Sequence, residues 1–344
     1  MTKYHPKNER MKREYFRYLA EAEGKSTATL DSVGKSLLRY EEYTRFKDFS
    51  TFHREQVIAF KQHLTGQKAE RSGEAFSKST LLATLNHLKA FFKWLACQPG
   101  YKQKIHLPDI AYFSLSDKET QIAKATKYTP VPTLEQIRHV IERMPSGDDI
   151  ARRNRAMIAF TILTGVRISA LISLKLRHID LEQQLVLQNP AEVKTKFSKR
   201  IDTYFFGVGD DIRQIVVEWI RYLREVKLYG EEAPLFPRTA IAHDSTQSFA
   251  VAGLEPKHWN TTTPVRDIFR AAFTAAGLQY YNPHSFRNTL VQLAYRHCKG
   301  DFEALKAWSQ NLGHEGMLTT LTSYGTINTY RQGEIIKGLA AAGG

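Results

Sequence analysis

Hydrophobic periodicity lapses between Pro99 and Pro132, and a chain interrupted for that long is expected to fold as two units rather than around one core. Prolines at 108, 130 and 132, with the polar run Ser114-Leu115-Ser116-Asp117-Lys118-Glu119, mark a linker over 106–130. A first domain is therefore expected at 1–105 and a second at 131–344. With 344 residues, 42% of them hydrophobic, each part is long enough to bury a core of its own.

The first domain reads as helical throughout. Met11, Tyr15, Tyr18, Leu19 and Ala22 fall at helical spacing, as do Leu30, Val33, Leu37 and Tyr40, and then Val57, Phe60 and Leu64 before Gly66. A fourth stripe places Leu81, Leu85, Leu88, Phe92 and Leu95 on one face. Its other face carries Asn86, Lys89 and Lys93, three and four residues apart, a spacing that would present them together to a phosphate backbone. An ordinary solvated face would look the same.

The second domain mixes periods. Thr133-Leu134-Glu135-Gln136 is a capping-box sequence that opens a helix. A helix through Met157, Phe160 and Leu163 ends at Gly165, and Arg167 begins the next, with Ile168, Leu171 and Leu174 on its buried side. From Ile179 to Phe206 the residues turn β-like, Leu185-Val186-Leu187 and Ile201 to Phe206 flanking a basic loop. Amphipathic helices follow: Ile215 to Val226, one from Thr263-Pro264 to Gly277, and one opened by Asn282-Pro283. The expected class is a mixed α/β domain, mainly helical, with a small β-sheet.

Lys and Arg outnumber Asp and Glu by 49 to 35, a formal net charge of +14, which suits a protein that closes around a polyanion. The longest apolar run, Ala156 to Leu163, is too short to span a bilayer, and no apolar stretch opens the chain. A soluble, cytoplasmic protein with no membrane partner is expected, working at the nucleoid if its polyanion is DNA. Cys97 and Cys298 form no Cys-x-x-Cys pair, and the acidic pairs Asp148-Asp149, Asp210-Asp211 and Glu231-Glu232 cannot easily converge on one ion, so no metal site is expected.

Four short motifs occur in order: Thr164-Gly165-Val166-Arg167, His284-Ser285-Phe286-Arg287, Leu312-Gly313-His314 and Thr322-Ser323-Tyr324-Gly325. Each alone is weak. Together they fit phosphoryl transfer to a tyrosine. A phosphodiester under attack gains charge on its non-bridging oxygens, and without metal ions that charge calls for arginine forks, here Arg167 and Arg287. A tyrosine hydroxyl becomes nucleophilic when cations favour the phenolate or a base takes its proton, and His284 and His314 can orient and trade that proton. The departing sugar oxygen needs a general acid on a flexible arm, such as a lysine in a hairpin.

This set resembles the tyrosine recombinase, or phage integrase, family over most of the chain. The resemblance implies an N-terminal helical core-binding domain, a SAM-like bundle that clamps one side of duplex DNA, and a C-terminal catalytic domain. It assigns the arginines to Arg167 and Arg287, the histidines to His284 and His314, the nucleophile to Tyr324 and the hairpin lysine to Lys194, with Lys196 as the alternative in the same loop. Two departures stand out: Ala170 occupies the position where the family usually carries a carboxylate, and the His314 to Tyr324 interval is one residue longer than usual, which makes Tyr330 a second candidate.

The activity implied is site-specific cleavage and rejoining of double-stranded DNA through a 3′-phosphotyrosyl link, without metal, ATP or other cofactor. The implied partners are three further copies of the chain, forming a tetramer on paired sites, and accessory directionality proteins. The apolar stripe Ile335, Ile336 and Leu339 would dock on a neighbouring protomer or fold back on its own domain. A type IB topoisomerase shares the chemistry, and a DNA-binding protein with a decayed site is the alternative from another class.

Overall fold

The computed structural model describes residues 4–68, 73–125, 130–195, 199–243, 249–314, 316 and 329–342. They form two compact units, Met1–Ala125 and Thr126–Gly344.

The first unit is all helical among the described residues: α1 (Pro6–Arg17), α2 (Thr27–Tyr43), α3 (Arg54–Gly66), α4 (Lys78–Leu95), α5 (Leu107–Ile110) and α6 (Asp117–Lys124). The Ser77 side chain caps α4 by accepting the Thr80 N–H. Leu81, Leu85, Leu88, Phe92 and Leu95 are all buried, as the periodicity predicts. Phe92 lies at the centre of an aromatic cluster, stacked on Phe52 at 4.2 Å and on Phe113 at 5.5 Å between centroids. A buried polar tie joins α1 to α2, where the Glu41 carboxylate accepts from Asn8 Nδ2 at 3.3 Å and from Lys12 Nζ at 2.7 Å.

The expected linker over 106–130 is, as far as Ala125, the closing part of this unit. Ile110 and Phe113 are buried in its core, and Lys78 Nζ pairs with Glu119 Oε1 at 2.6 Å. The polar run Ser116 to Glu119 is a complete capping box, with Ser116 accepting the Glu119 N–H and the Glu119 carboxylate accepting the Ser116 N–H. Its polarity serves to start a helix, not to leave one.

In the second unit, α7 (Leu134–Arg143) opens with the capping box expected at Thr133 and Gln136. α8 (Asp149–Thr164) runs through the core and is buried along most of its length. After α9 (Ile168–Leu171) come β1 (Ile179–Asp180), β2 (Leu185–Gln188) and β3 (Ile201–Tyr204), an antiparallel sheet in that order, with Leu185 opposite Tyr204 and Gln188 opposite Ile201. α10 (Asp210–Arg221) covers α8 and carries Trp219, stacked on Phe236. An antiparallel hairpin, β4 (Arg238–His243) and β5 (Phe249–Glu255), follows. The remaining helices are α11 (Thr263–Ala275), α12 (Ser285–Cys298), α13 (Phe302–Asn311) and α14 (Thr329–Ala342).

The hairpin was not expected, because alanine is the commonest residue in its strands and only Thr239, Ile241 and Val251 are β-branched. No helix among the described residues is long and apolar enough to cross a membrane.

Candidate catalytic site

The turn between α8 and α9 explains the glycine of the first motif. Gly165 has φ +60°, and a Cβ there would lie 2.8 Å from both Leu290 Cδ1 and Leu312 Cδ2. Glycine alone satisfies the backbone and the packing together. Its carbonyl then points at the second motif and accepts from Arg287 Nη1, while Arg287 Nη2 donates to the Leu312 carbonyl. The glycine of the third motif is fixed the same way, since Gly313 has φ +63° and a Cβ would approach Ile201 Cδ1 to 2.7 Å. Three separate motifs are thereby locked around one guanidinium.

Gly165→Ala tests that lock. A side chain in the left-handed region that also displaces two core leucines should destabilise the unit by roughly 2–4 kcal/mol. Thermal melting would read this as a lowered Tm, with cleavage lost in parallel; an unchanged Tm would show that the turn has room to spare.

Arg287 is 3% exposed, on the inner face of α12. Burial, and after it the charge of Arg167, lower its pKa from the ordinary arginine value, yet a guanidinium stays cationic at neutral pH. Its Nε is buried with no partner among the described residues. Arg167 precedes the first turn of α9, half-buried, its own pKa lowered by desolvation.

His314 closes the third motif and is half-buried. Its pKa is pushed down to about 4, first by desolvation and then by the charges of Arg287, Arg167 and His284. At neutral pH it is an uncharged imidazole. Those shared fields group four of the candidates, Arg167, His284, Arg287 and His314, in one cluster. His284 is exposed at the start of α12; the cap that its position invited is made by Asn282, whose Oδ1 accepts the N–H groups of His284 and Ser285.

Lys194 lies exposed in the loop between β2 and β3. Its backbone N–H donates to Ser173 Oγ at 2.9 Å, just beyond α9. Its charge is felt by His258, a half-buried histidine whose Nδ1–H donates to the Ile172 carbonyl at 3.0 Å. Ser173 and His258 carry no sequence signal of their own: only the folding of distant segments onto α9 brings them beside Lys194. Ala170, where a carboxylate was weighed, is 1% exposed and part of the core.

Tyr324, the proposed nucleophile, and Lys196 lie outside the described residues. Tyr330 falls in α14, but its side chain is likewise outside them. In the first unit, Asn86 and Lys93 are exposed and Lys89 is half-buried, all on α4. Among the described residues no group of three or more His, Cys, Asp or Glu side chains could hold a metal ion.

A family model described as the phage integrase family matches residues 131–328. The chain belongs to the phage integrase family, the tyrosine recombinases. This family match covers all four motifs. A curated tyrosine recombinase XerC of Lactobacillus delbrueckii subsp. bulgaricus is 26% identical over 254 residues, covering 72% of each protein. Among solved structures, a lambda integrase dimer bound to a core site aligns with TM-score 0.61 at 15% identity, over 93% of this chain and 99% of that one. A lambda integrase tetramer bound to a Holliday junction aligns with TM-score 0.59 at 16% identity, over 93% of this chain and 80% of that one. At such identities the structural likeness is one of fold.

Proposed function

We propose that this phage integrase family member is a site-specific recombinase that cuts and rejoins double-stranded DNA, with Tyr324 as nucleophile. The observation that carries the reading is the cationic cluster: a buried Arg287 that feels the charge of Arg167, with both charges acting in turn on His314. Two guanidiniums held near each other in that way favour an anion, and the scissile phosphate would be that anion. Their N–H groups are in place before the reaction, so the growing charge of the transition state meets donors that need no reorganisation.

In the forward step the Tyr324 hydroxyl oxygen bonds to phosphorus and the bond from phosphorus to the 5′-oxygen breaks. Neutral His314, with His284, would receive or relay the tyrosine proton. Lys194 gives a proton to the departing 5′-oxygen. A 5′-hydroxyl from the partner strand then attacks the phosphotyrosyl link and returns the tyrosine. The bond energy stays in the link, so neither ATP nor a metal ion is required.

The basic first unit would clamp the duplex, with Asn86, Lys89 and Lys93 of α4 facing phosphates. The lambda integrase structures on a core site and on a Holliday junction support the same substrate and a tetrameric assembly for this chain. The exposed Ile335 and Ile336 of α14 supply an apolar contact for a neighbouring protomer, and accessory proteins would set direction. With DNA as its substrate, the protein's place of work is the nucleoid.

A nicked suicide duplex carrying the recombination site tests the reading. The protein should form a covalent protein–DNA adduct, and form it equally well in excess EDTA. DNA binding with no adduct would mark a binding protein instead, and an adduct lost in EDTA would demand a metal mechanism.

A further inference from the structure

The loop that carries Lys194 is held at its near end by three different attachments. Val193 is 1% exposed and packs in the core. Glu192 Oε2 takes His178 Nε2–H at 2.8 Å and Arg177 Nη2 at 2.7 Å, at the protein surface. The third is Ser173, 8% exposed, whose hydroxyl accepts the Lys194 N–H at 2.9 Å and donates to the Ala170 carbonyl at 2.9 Å, with the Ser169 carbonyl at 3.2 Å. One hydroxyl thus joins the backbone of Lys194 to the carbonyls of α9, the helix that begins at Arg167.

That connection has a chemical meaning. The lysine side chain is exposed and has four rotatable carbons, so the region its ammonium can reach is set by where its Cα is held. The α9 end of the link moves with Arg167, and the loop end moves with the proton donor. Beyond Lys194, among the described residues, the strand ladder includes Ile201, paired with Gln188. The position at 170 that might have carried a supporting carboxylate is a buried methyl, and the serine hydroxyl lies against its carbonyl.

We propose that Ser173 is the positioning residue for the general acid: by tying the Lys194 backbone to α9, it sets the ammonium against the phosphate that Arg167 binds. The proposal rests on the assignment of Lys194 as proton donor to the 5′-oxygen. Losing Ser173 should therefore impair protonation of the leaving group and leave phosphate binding and tyrosine attack intact.

Two DNA substrates separate these effects, identical except that one carries sulfur in place of the bridging 5′-oxygen at the scissile phosphate. A thiolate leaves without being protonated, because thiols are far more acidic than alcohols. Single-turnover cleavage of the oxygen substrate should fall about a hundred- to ten-thousandfold in Lys194→Ala, the range for a general acid, and return to near the wild-type rate on the sulfur substrate. Ser173→Ala, which leaves the Lys194 N–H unpaired, should lose roughly tenfold on the oxygen substrate and close to nothing on the sulfur one. Ser173→Cys fills the same space with a weak acceptor and should show the same oxygen-specific loss in smaller measure.

A loss in Ser173→Ala that is equal on both substrates would overturn the proposal and make Ser173 a support for the arginines or the fold. Wild-type rates on both would overturn it too. If Lys194→Ala were not rescued by sulfur, the assignment of the acid would fall first and the role of Ser173 with it. Sulfur rescue of Lys194→Ala without any oxygen-specific loss in the Ser173 variants would leave the acid standing and refute the link.

Discussion

Tyr324→Phe should bind its DNA site as tightly as the wild-type protein and form no covalent adduct on a nicked suicide duplex. The substitution keeps the ring and removes only the oxygen that bonds to phosphorus. Cations and histidines around the phosphate stabilise charge but cannot replace a nucleophile, so the adduct should fall below detection, not merely slow. The companion variant Tyr330→Phe should cleave normally. Should the adduct survive in Tyr324→Phe and vanish in Tyr330→Phe, the nucleophile would sit six residues further on, at the start of α14. The two variants together therefore determine the register of the last motif, which the lengthened interval after His314 leaves open.

The glycines of the motifs were legible in the sequence because they are local solutions to packing problems. Gly165 and Gly313 stand where a left-handed turn meets a neighbouring side chain, and no other residue fits. Helix stripes such as Leu81 to Leu95 were legible because one buried face repeats with the helical period. What stayed hidden depends on the meeting of segments far apart in the chain. The Ser173 to Lys194 hydrogen bond spans β1 and β2, and His258 reaches Ile172 from the far side of the β4–β5 hairpin. That hairpin was missed since alanine and glycine give no period that distinguishes strand from coil. The end of the first unit was hard to read for a different reason: Ser116 to Glu119 is polar, and in composition a capping box and a linker look alike until the helix it opens is seen against α4.

The two arginines should fail differently when each is changed to lysine. Arg287 has structural duties, its Nη groups satisfying the carbonyls of Gly165 and Leu312 in the buried interior. A lysine there keeps the charge but cannot span both carbonyls and still face the phosphate, so at least one buried acceptor is left unpaired, at about 1–3 kcal/mol. Arg287→Lys should therefore lower Tm and also cut single-turnover cleavage by roughly a hundred- to a thousandfold, the loss typical of removing a preorganised donor from a developing oxyanion. Arg167 makes no hydrogen bond to a described residue through its guanidinium, so Arg167→Lys should keep its Tm and lose cleavage by a similar factor. In both variants affinity for the uncleaved site should change far less than the rate, because the two-pronged contact strengthens as the phosphate gains charge. Near wild-type cleavage by Arg167→Lys would leave Arg287 as the sole phosphate-binding fork. Near wild-type cleavage by both, with Tm lowered only in Arg287→Lys, would reduce the cluster to a structural device and remove the observation on which the proposed chemistry rests.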